Sequence, residues 1–269
     1  MLENHTTITF SMYKLIVELG TLLRCTILVQ IFIIKTKVYT LAHSEINIRK
    51  DWRIIMKIKW YGHSCFMITS ENGTKIILDP YISMLGYKLP ELEADIVATS
   101  HEHSDHNNIN AVKNDFVHIN KPGIFSEYGI EIKGVDTFHD KVSGAKKGKN
   151  TIFNFKVDDI NVCHCGDLGH ILDAKQVEEI GNVDVLLIPV GGGYTIDATD
   201  AVEVVKQLKP TVIVPMHYRT KALGPMGLAF AKVDKFIDAS GLKAQNYAEL
   251  ELNKENIENY QGIAVLKYK

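Results

Sequence analysis

The run Thr99-Ser100-His101-Glu102-His103-Ser104-Asp105-His106 packs three histidines and an aspartate into six positions immediately after the apolar segment that begins at Asp95. The residues that follow, Asn107 to Val112, are spaced as a short helix, so the run reads as a loop from a strand to a helix. In an extended loop, side chains two positions apart project to the same side, so His101 and His103 can take one metal ion between them. Asp105 and His106 lie where the chain begins to turn and can address a second ion beside the first. The competing reading is a solvated polar loop with chance histidines. Three imidazoles and a carboxylate at this spacing are the ligand types that zinc and similar metals require, and that favours the metal.

The chain of 269 residues is 46% hydrophobic and 23% charged, enough to bury a full core in one large domain or two small ones. A formal net charge of −2 supplies no global basic field of the kind that gathers nucleic-acid phosphates, so no nucleic-acid partner is expected. Four cysteines, Cys25, Cys65, Cys163 and Cys165, form no disulfide-rich framework and favour a reducing, cytoplasmic setting. Nothing in the composition separates a monomer from a homo-oligomer.

Residues 1–55 differ in character from the rest. Leu15 to Ile34 is largely apolar but is interrupted by Glu18, Arg24 and Gln30, whereas a membrane helix wants about 20 apolar residues with few or no charges. This stretch is therefore a poor bilayer span, and no signal peptide is evident. From Met56 the pattern becomes regular, and a compact domain is expected over 56–269 behind an N-terminal extension; Met56 could itself be the natural initiator. Lys57 to Trp60, Cys65 to Thr69, Lys75 to Leu78, Asp95 to Thr99, Ile130 to Val135, Thr151 to Val157, Ile160 to Cys163, Val183 to Pro189 and Thr211 to Pro215 are spaced as strands. Thr199 to Leu208 has helical spacing, with Asp197 or Thr199 as its N-cap. Hairpins followed by strand-helix-strand units point to an α/β fold with two sheets sandwiched between helices.

The histidine run resembles the hallmark His-x-His-x-Asp-His of the metallo-β-lactamase superfamily, and further segments extend the resemblance over about residues 56 to 269. Thr137-Phe138-His139-Asp140 resembles the segment that supplies the third histidine of the first metal site. Cys163-His164-Cys165-Gly166-Asp167-Leu168-Gly169 resembles the Gly-Asp motif whose aspartate bridges the ions, and Val212-Ile213-Val214-Pro215-Met216-His217-Tyr218 the strand end bearing the last histidine. Trp60-Tyr61-Gly62-His63-Ser64-Cys65-Phe66, Ile77-Leu78-Asp79-Pro80 and Ile188-Pro189-Val190-Gly191-Gly192-Gly193-Tyr194 resemble the branch of ascorbate-6-phosphate lactonase-like and uncharacterised metal-dependent hydrolases.

The resemblance implies an αββα sandwich of two mixed β-sheets flanked by helices. It also implies two divalent ions, zinc foremost with manganese or iron as alternatives, held by His101, His103 and His139 on one side and Asp105, His106 and His217 on the other, with Asp167 between them. Two ions about 3.5–4 Å apart can share a hydroxide as nucleophile and polarise the scissile bond, with Asp105 orienting the hydroxide. The implied activity is hydrolysis of a small ester, lactone or phosphodiester. A nuclease of the same superfamily, and a nonhydrolytic metal-binding or redox protein, are the alternatives.

Several residues carry two readings. Asp79 is either an outer carboxylate that fixes the ligand loop or a turn residue before Pro80. His63 and His164 either approach substrate near the metals or are hydrogen-bonded core histidines. Cys163 and Cys165 are expected as small buried residues, and His5, His43, His118 and His170 as structural or solvated. The glycines at 191–193 allow close backbone approach to the pocket, with Tyr194 facing substrate. Asp140 to Asn150 carries four lysines against one aspartate and is expected as a mobile loop in which Lys146, Lys147 and Lys149 either steer an anionic substrate or merely aid solubility.

Overall fold

The computed structural model describes residues 55–83 and 86–268, together with Leu19, Gln30 and 33–37. The chain divides into two compact units, Met1–Arg53 and Ile54–Lys269. In the first, residues 33–37 are helical, and most of the Leu15 to Ile34 stretch lies outside the described residues. Among the described residues no helix is long and apolar enough to cross a membrane.

The second unit contains strands β1 (Met56–Gly62), β2 (Cys65–Thr69), β3 (Lys75–Leu78), β4 (Ile96–Ala98), β5 (Val117–Ile119), β6 (Gly123–Glu127), β7 (Ile130–Phe138), β8 (Lys149–Val157), β9 (Ile160–His164), β10 (Val185–Pro189), β11 (Val212–Met216), β12 (Ala244–Tyr247), β13 (Leu250–Leu252) and β14 (Gly262–Leu266), with helices α1 (Ala174–Ile180), α2 (Ala198–Leu208) and α3 (Val233–Ser240). They form two mixed sheets, β13-β1-β2-β3-β4-β5 and β12-β14-β11-β10-β9-β8-β7-β6. The arrangement is an αββα sandwich.

Alternation decides which face each residue serves. In β3 and β4, Ile76, Leu78, Ile96 and Ala98 join the core between the sheets, where they meet Phe153, Phe155, Val162, Leu187 and Val214 of the larger sheet. Ile77 and Val97 point the other way, into a second cluster with Tyr61, Tyr81, Tyr87 and Leu92. The central parallel strands β10 and β11 are buried at every position, as strands covered on both faces must be. Helix α2 links them, begins at Asp197, whose carboxylate accepts the backbone N–H groups of Thr199 and Asp200, and buries Ala198, Ala201, Val204 and Leu208 along one stripe.

The outer face of the smaller sheet differs from expectation. Instead of a helix over Asn107 to Val112 there is one 3-10 turn at Ile109–Ala111. The Asn108 N–H donates to the Pro80 carbonyl at 2.7 Å and its side-chain amide to the Tyr81 carbonyl at 3.0 Å. Those bonds hold the segment against the loop after β3 and stop a longer helix from forming.

Strand direction creates the site. β1, β3 and β4 run one way in the smaller sheet, and β7, β9, β10 and β11 run one way in the larger. The residues just past their carboxyl ends are His63, Asp79, the run at 101–106, His139, Asp167, Tyr194 and His217.

Candidate metal centre

Three of these positions hold non-glycine backbone in the left-handed region: His63 at φ 51°, Asp79 at 43° and His217 at 51°. Such conformations cost about 1–3 kcal/mol each and persist only where the surroundings over-determine them. For His63 the surroundings are explicit. β1 ends in a register shift between Trp60 and Gly62, and the Tyr87 ring occupies the space where a Cβ at Gly62 would lie. The His63 carbonyl then accepts the Trp60 indole N–H at 3.0 Å and the His217 backbone N–H at 3.2 Å.

The side chains converge in overlapping groups whose ligand atoms lie within 4.8 Å of one another: His101, His103 and His139; His63, His106 and His217; and His101, His106 and Asp167. Asp167 joins them. Its Oδ1 is 3.2 Å from His106 Nε2, and its Oδ2 is 3.1 Å from His139 Nε2 and 3.4 Å from His217 Nε2. Burial alone would push the Asp167 carboxyl up, but His106 and His217 outweigh it and hold the group well below the usual carboxylate range. His106 is the counterpart. Burial opposes its protonated form, yet Asp167 and Asp79 raise it well above the ordinary imidazole value, so this position favours a cation. Burial lowers His63 to about 4 and His101 to about 3, keeping both neutral.

The donor set fits divalent metal. His63 Nε2, His106 Nε2 and Asp167 Oδ1 are buried inside the cluster without a hydrogen-bond partner, which is costly unless something else satisfies them. Neutral imidazoles and carboxylates are the ligands that zinc, manganese and iron share.

Hydrogen bonds behind the clustered side chains fix which nitrogen faces the cluster. Asp79, fully buried, accepts the Ser100 backbone N–H at 2.7 Å on Oδ1, and on Oδ2 the Ser100 hydroxyl at 2.8 Å, His106 Nδ1 at 2.9 Å and His164 Nε2 at 2.9 Å. Because a carboxylate only accepts, His106 keeps a proton on Nδ1, and Nε2 is the nitrogen it turns to the cluster and would offer to a metal ion. His101 Nδ1 lies 2.9 Å from the Ser100 hydroxyl oxygen, which accepts from it in the same way. Asn150, buried at the start of β8, accepts the Asp167 backbone N–H at 2.9 Å while its amide donates to Thr137 Oγ1 and the Cys165 carbonyl. The roles of Ser100 and Asn150 have no local signal in the sequence, since their partners lie up to 21 positions away.

A family model described as a beta-lactamase superfamily domain matches residues 57–217, which contain every ligand candidate. The chain belongs to the metallo-β-lactamase superfamily. A UPF0173 metal-dependent hydrolase of Thermoplasma acidophilum is 28% identical over 191 residues, covering 61% of this chain and 84% of that protein. A counterpart from Thermococcus kodakarensis is 30% identical over 194 residues, covering 62% and 86%. A crystal structure of a candidate Zn-dependent hydrolase of the same superfamily from Thermotoga maritima aligns with TM-score 0.66 at 40% identity, over 78% of this chain and 98% of that one.

Around the centre of this superfamily member, the other flagged residues fall into place unevenly. His164 is fully buried, with its Nε2 2.9 Å from Asp79 Oδ2. Cys163 and Cys165 are buried in the main core as free thiols. His118 pairs with Thr99 Oγ1 at 2.9 Å and His170 accepts the Phe138 backbone N–H at 3.2 Å, both away from the ligands; His5 and His43 lie outside the described residues. Asp140 accepts four backbone N–H groups, from Val142, Gly144, Lys146 and Lys147, at 2.8–2.9 Å. Lys149 pairs with Asp136 at 3.0 Å and Lys141 with Asp200 at 2.6 Å, both lysine side chains being exposed. Lys147 donates to the Tyr194 carbonyl at 2.6 Å and sits 4.8 Å from the Tyr194 ring centroid, and partial burial lowers its ammonium below the usual lysine value against the opposing charges of Asp167 and Asp140. Phe230 lies edge-on to His217, ring centroids 5.0 Å apart, and 6.0 Å from the Tyr194 ring.

Proposed function

We propose that this chain is a metal-dependent hydrolase acting on a small anionic ester, lactone or phosphodiester, with the ions held by His101, His103 and His139, by His106, His217 and Asp105, and by Asp167 between them. The observation that carries the reading is Asp167, whose carboxylate lies within 3.4 Å of histidines from both sets, His139 of the first and His106 and His217 of the second. Divalent ions so held would lower the pKa of water to near neutrality and polarise the scissile bond. The chain's own groups do the rest: Asp105, its side chain 36% exposed at the rim, is placed to accept a hydrogen bond from the attacking water and orient it, and Asp79 holds the His106 tautomer. Zinc suits the histidine-rich set first, with manganese and iron as alternatives. Metal analysis of protein purified without added metal, followed by a panel of lactones and phosphodiesters, tests the reading; metal-free protein that gains no hydrolysis on reconstitution would reject it.

Lys147 supports an anionic substrate, and Phe230 with Tyr194 supports an apolar portion beside the charge. Lys147→Gln is expected to lower kcat/KM for an anionic substrate about tenfold and to weaken its salt dependence, while a neutral analogue is little affected. Equal losses on both substrates would assign Lys147 to structure instead.

Residues 56–269 are proposed as the catalytic unit. A protein starting at Met56 is expected to fold, bind metal and match the full chain in thermal midpoint within about 2 °C, a shift of order 0.5 kcal/mol for a domain this size. Insoluble or metal-free truncated protein would show that the first unit is needed.

A further inference from the structure

We infer that His63 is a protein ligand of the ion on the His106 and His217 side, giving that side the same donor set, three imidazoles and the shared carboxylate of Asp167, as the His101, His103 and His139 side. The inference rests on the two-ion reading above. Its ligand atom lies within 4.8 Å of those of His106 and His217, and its ring centroid is 4.2 Å from that of His217 and 5.0 Å from that of His106. The side chain is 2% exposed and its Nε2 has no hydrogen-bond partner, although Asp105 Oδ2 lies 3.3 Å away. A buried nitrogen facing two other imidazoles and left unbonded is explained by a cation among the three.

The backbone supplies an independent argument. His63 holds its left-handed conformation through its carbonyl, which accepts from Trp60 and from the backbone of His217, another residue of the same cluster. The side chain takes no part in those bonds. The local backbone therefore fixes the imidazole relative to His217, and the nearest carboxylate to its Nε2 is Asp105 at 3.3 Å. With four protein donors on each side, tetrahedral coordination is met without Asp105, so His63 takes the place given to Asp105 above and the Asp105 carboxylate stays at the rim as a hydrogen-bond acceptor.

The test is metal titration of His63→Asn, since asparagine tolerates the left-handed backbone and retains the carbonyl that Trp60 and His217 bind. Metal-free wild type is expected to take two equivalents of Co(II), read by bound metal and by visible absorption. The variant should keep the first and bind the second more than about 100-fold more weakly, beyond the roughly 10–100-fold loss from replacing a residue that only orients a ligand. A smaller loss would overturn the inference and leave His63 as a positioning residue for Asp105. Wild type that takes fewer than two equivalents would instead defeat the two-ion reading. A direct measurement on the wild type covers a variant that fails to fold: in 113Cd-loaded, 15N-labelled protein, scalar coupling between cadmium and His63 Nε2 is expected, and its absence while His106 and His217 show coupling would also overturn the assignment.

Discussion

Asp167→Ala is expected to abolish two-ion binding and to lower kcat/KM by at least about 10³-fold, since removing even a single preorganised donor from an active site costs about 10²–10³-fold. Asp167 faces His106, His139 and His217 at 3.1–3.4 Å, so its loss removes a donor from both halves of the centre at once. The backbone should hold, because the Asp167 N–H is fixed by the Asn150 side chain rather than by its own carboxylate. Three carboxylate-imidazole contacts disappear, however, and His106 keeps Asp79 at 2.9 Å and Asp105 at 3.9 Å as its anionic neighbours. Circular dichroism and metal analysis on the same preparation check the result. A folded variant that retains two ions per chain would remove Asp167 from the ligand set.

The centre was legible in the sequence wherever its residues were adjacent. His101, His103, Asp105 and His106 signal metal because ligand types are concentrated in one turn of loop, and β4 before them is a plain apolar run. Residues whose meaning depends on distant partners were not legible in the same way. Asn150 sits in an otherwise ordinary strand start, and its place under Asp167 follows from the pairing of β8 with β9. The lysine segment suggests mobility by composition, but the preceding Asp140 gathers four of its N–H groups. Edge strands such as β6 and β12 bury none of their residues fully and so lack the alternation that marks a half-buried strand. Helix α1 had a signal that the apolar pattern obscured: Asp173 and Gln176 form a capping box and Gly181 closes the helix. Its buried face contains Gln176, whose amide donates to the Asp136 carbonyl, so a search for apolar spacing alone passes over it.

Asp79 offers the sharpest division between a turn residue and a supporting carboxylate, because asparagine serves the first role and not the second. At φ 43° before Pro80, asparagine is as well tolerated as aspartate, so a residue needed only for the turn should accept Asp79→Asn with little change. Four donors reach its carboxylate, three of them on Oδ2: the Ser100 hydroxyl, His106 Nδ1 and His164 Nε2. An amide has one acceptor oxygen. If that oxygen keeps the Ser100 N–H, the amide N–H₂ faces three donors; if it turns to Oδ2's place, the N–H₂ meets the Ser100 N–H. In the first arrangement His106 relieves the clash by moving its proton from Nδ1 to Nε2, which covers the lone pair meant for the ion. Metal affinity on the His106 side is therefore expected to fall by about 10–100-fold, the usual cost of losing an outer partner of a ligating histidine. Asp79→Ala goes further, leaving buried donors without any acceptor, and is expected to lower the stability of the metal-free protein by about 3–5 kcal/mol. Competition with a chelator measures the first effect and urea unfolding the second. Wild-type metal affinity in Asp79→Asn would reduce Asp79 to its turn.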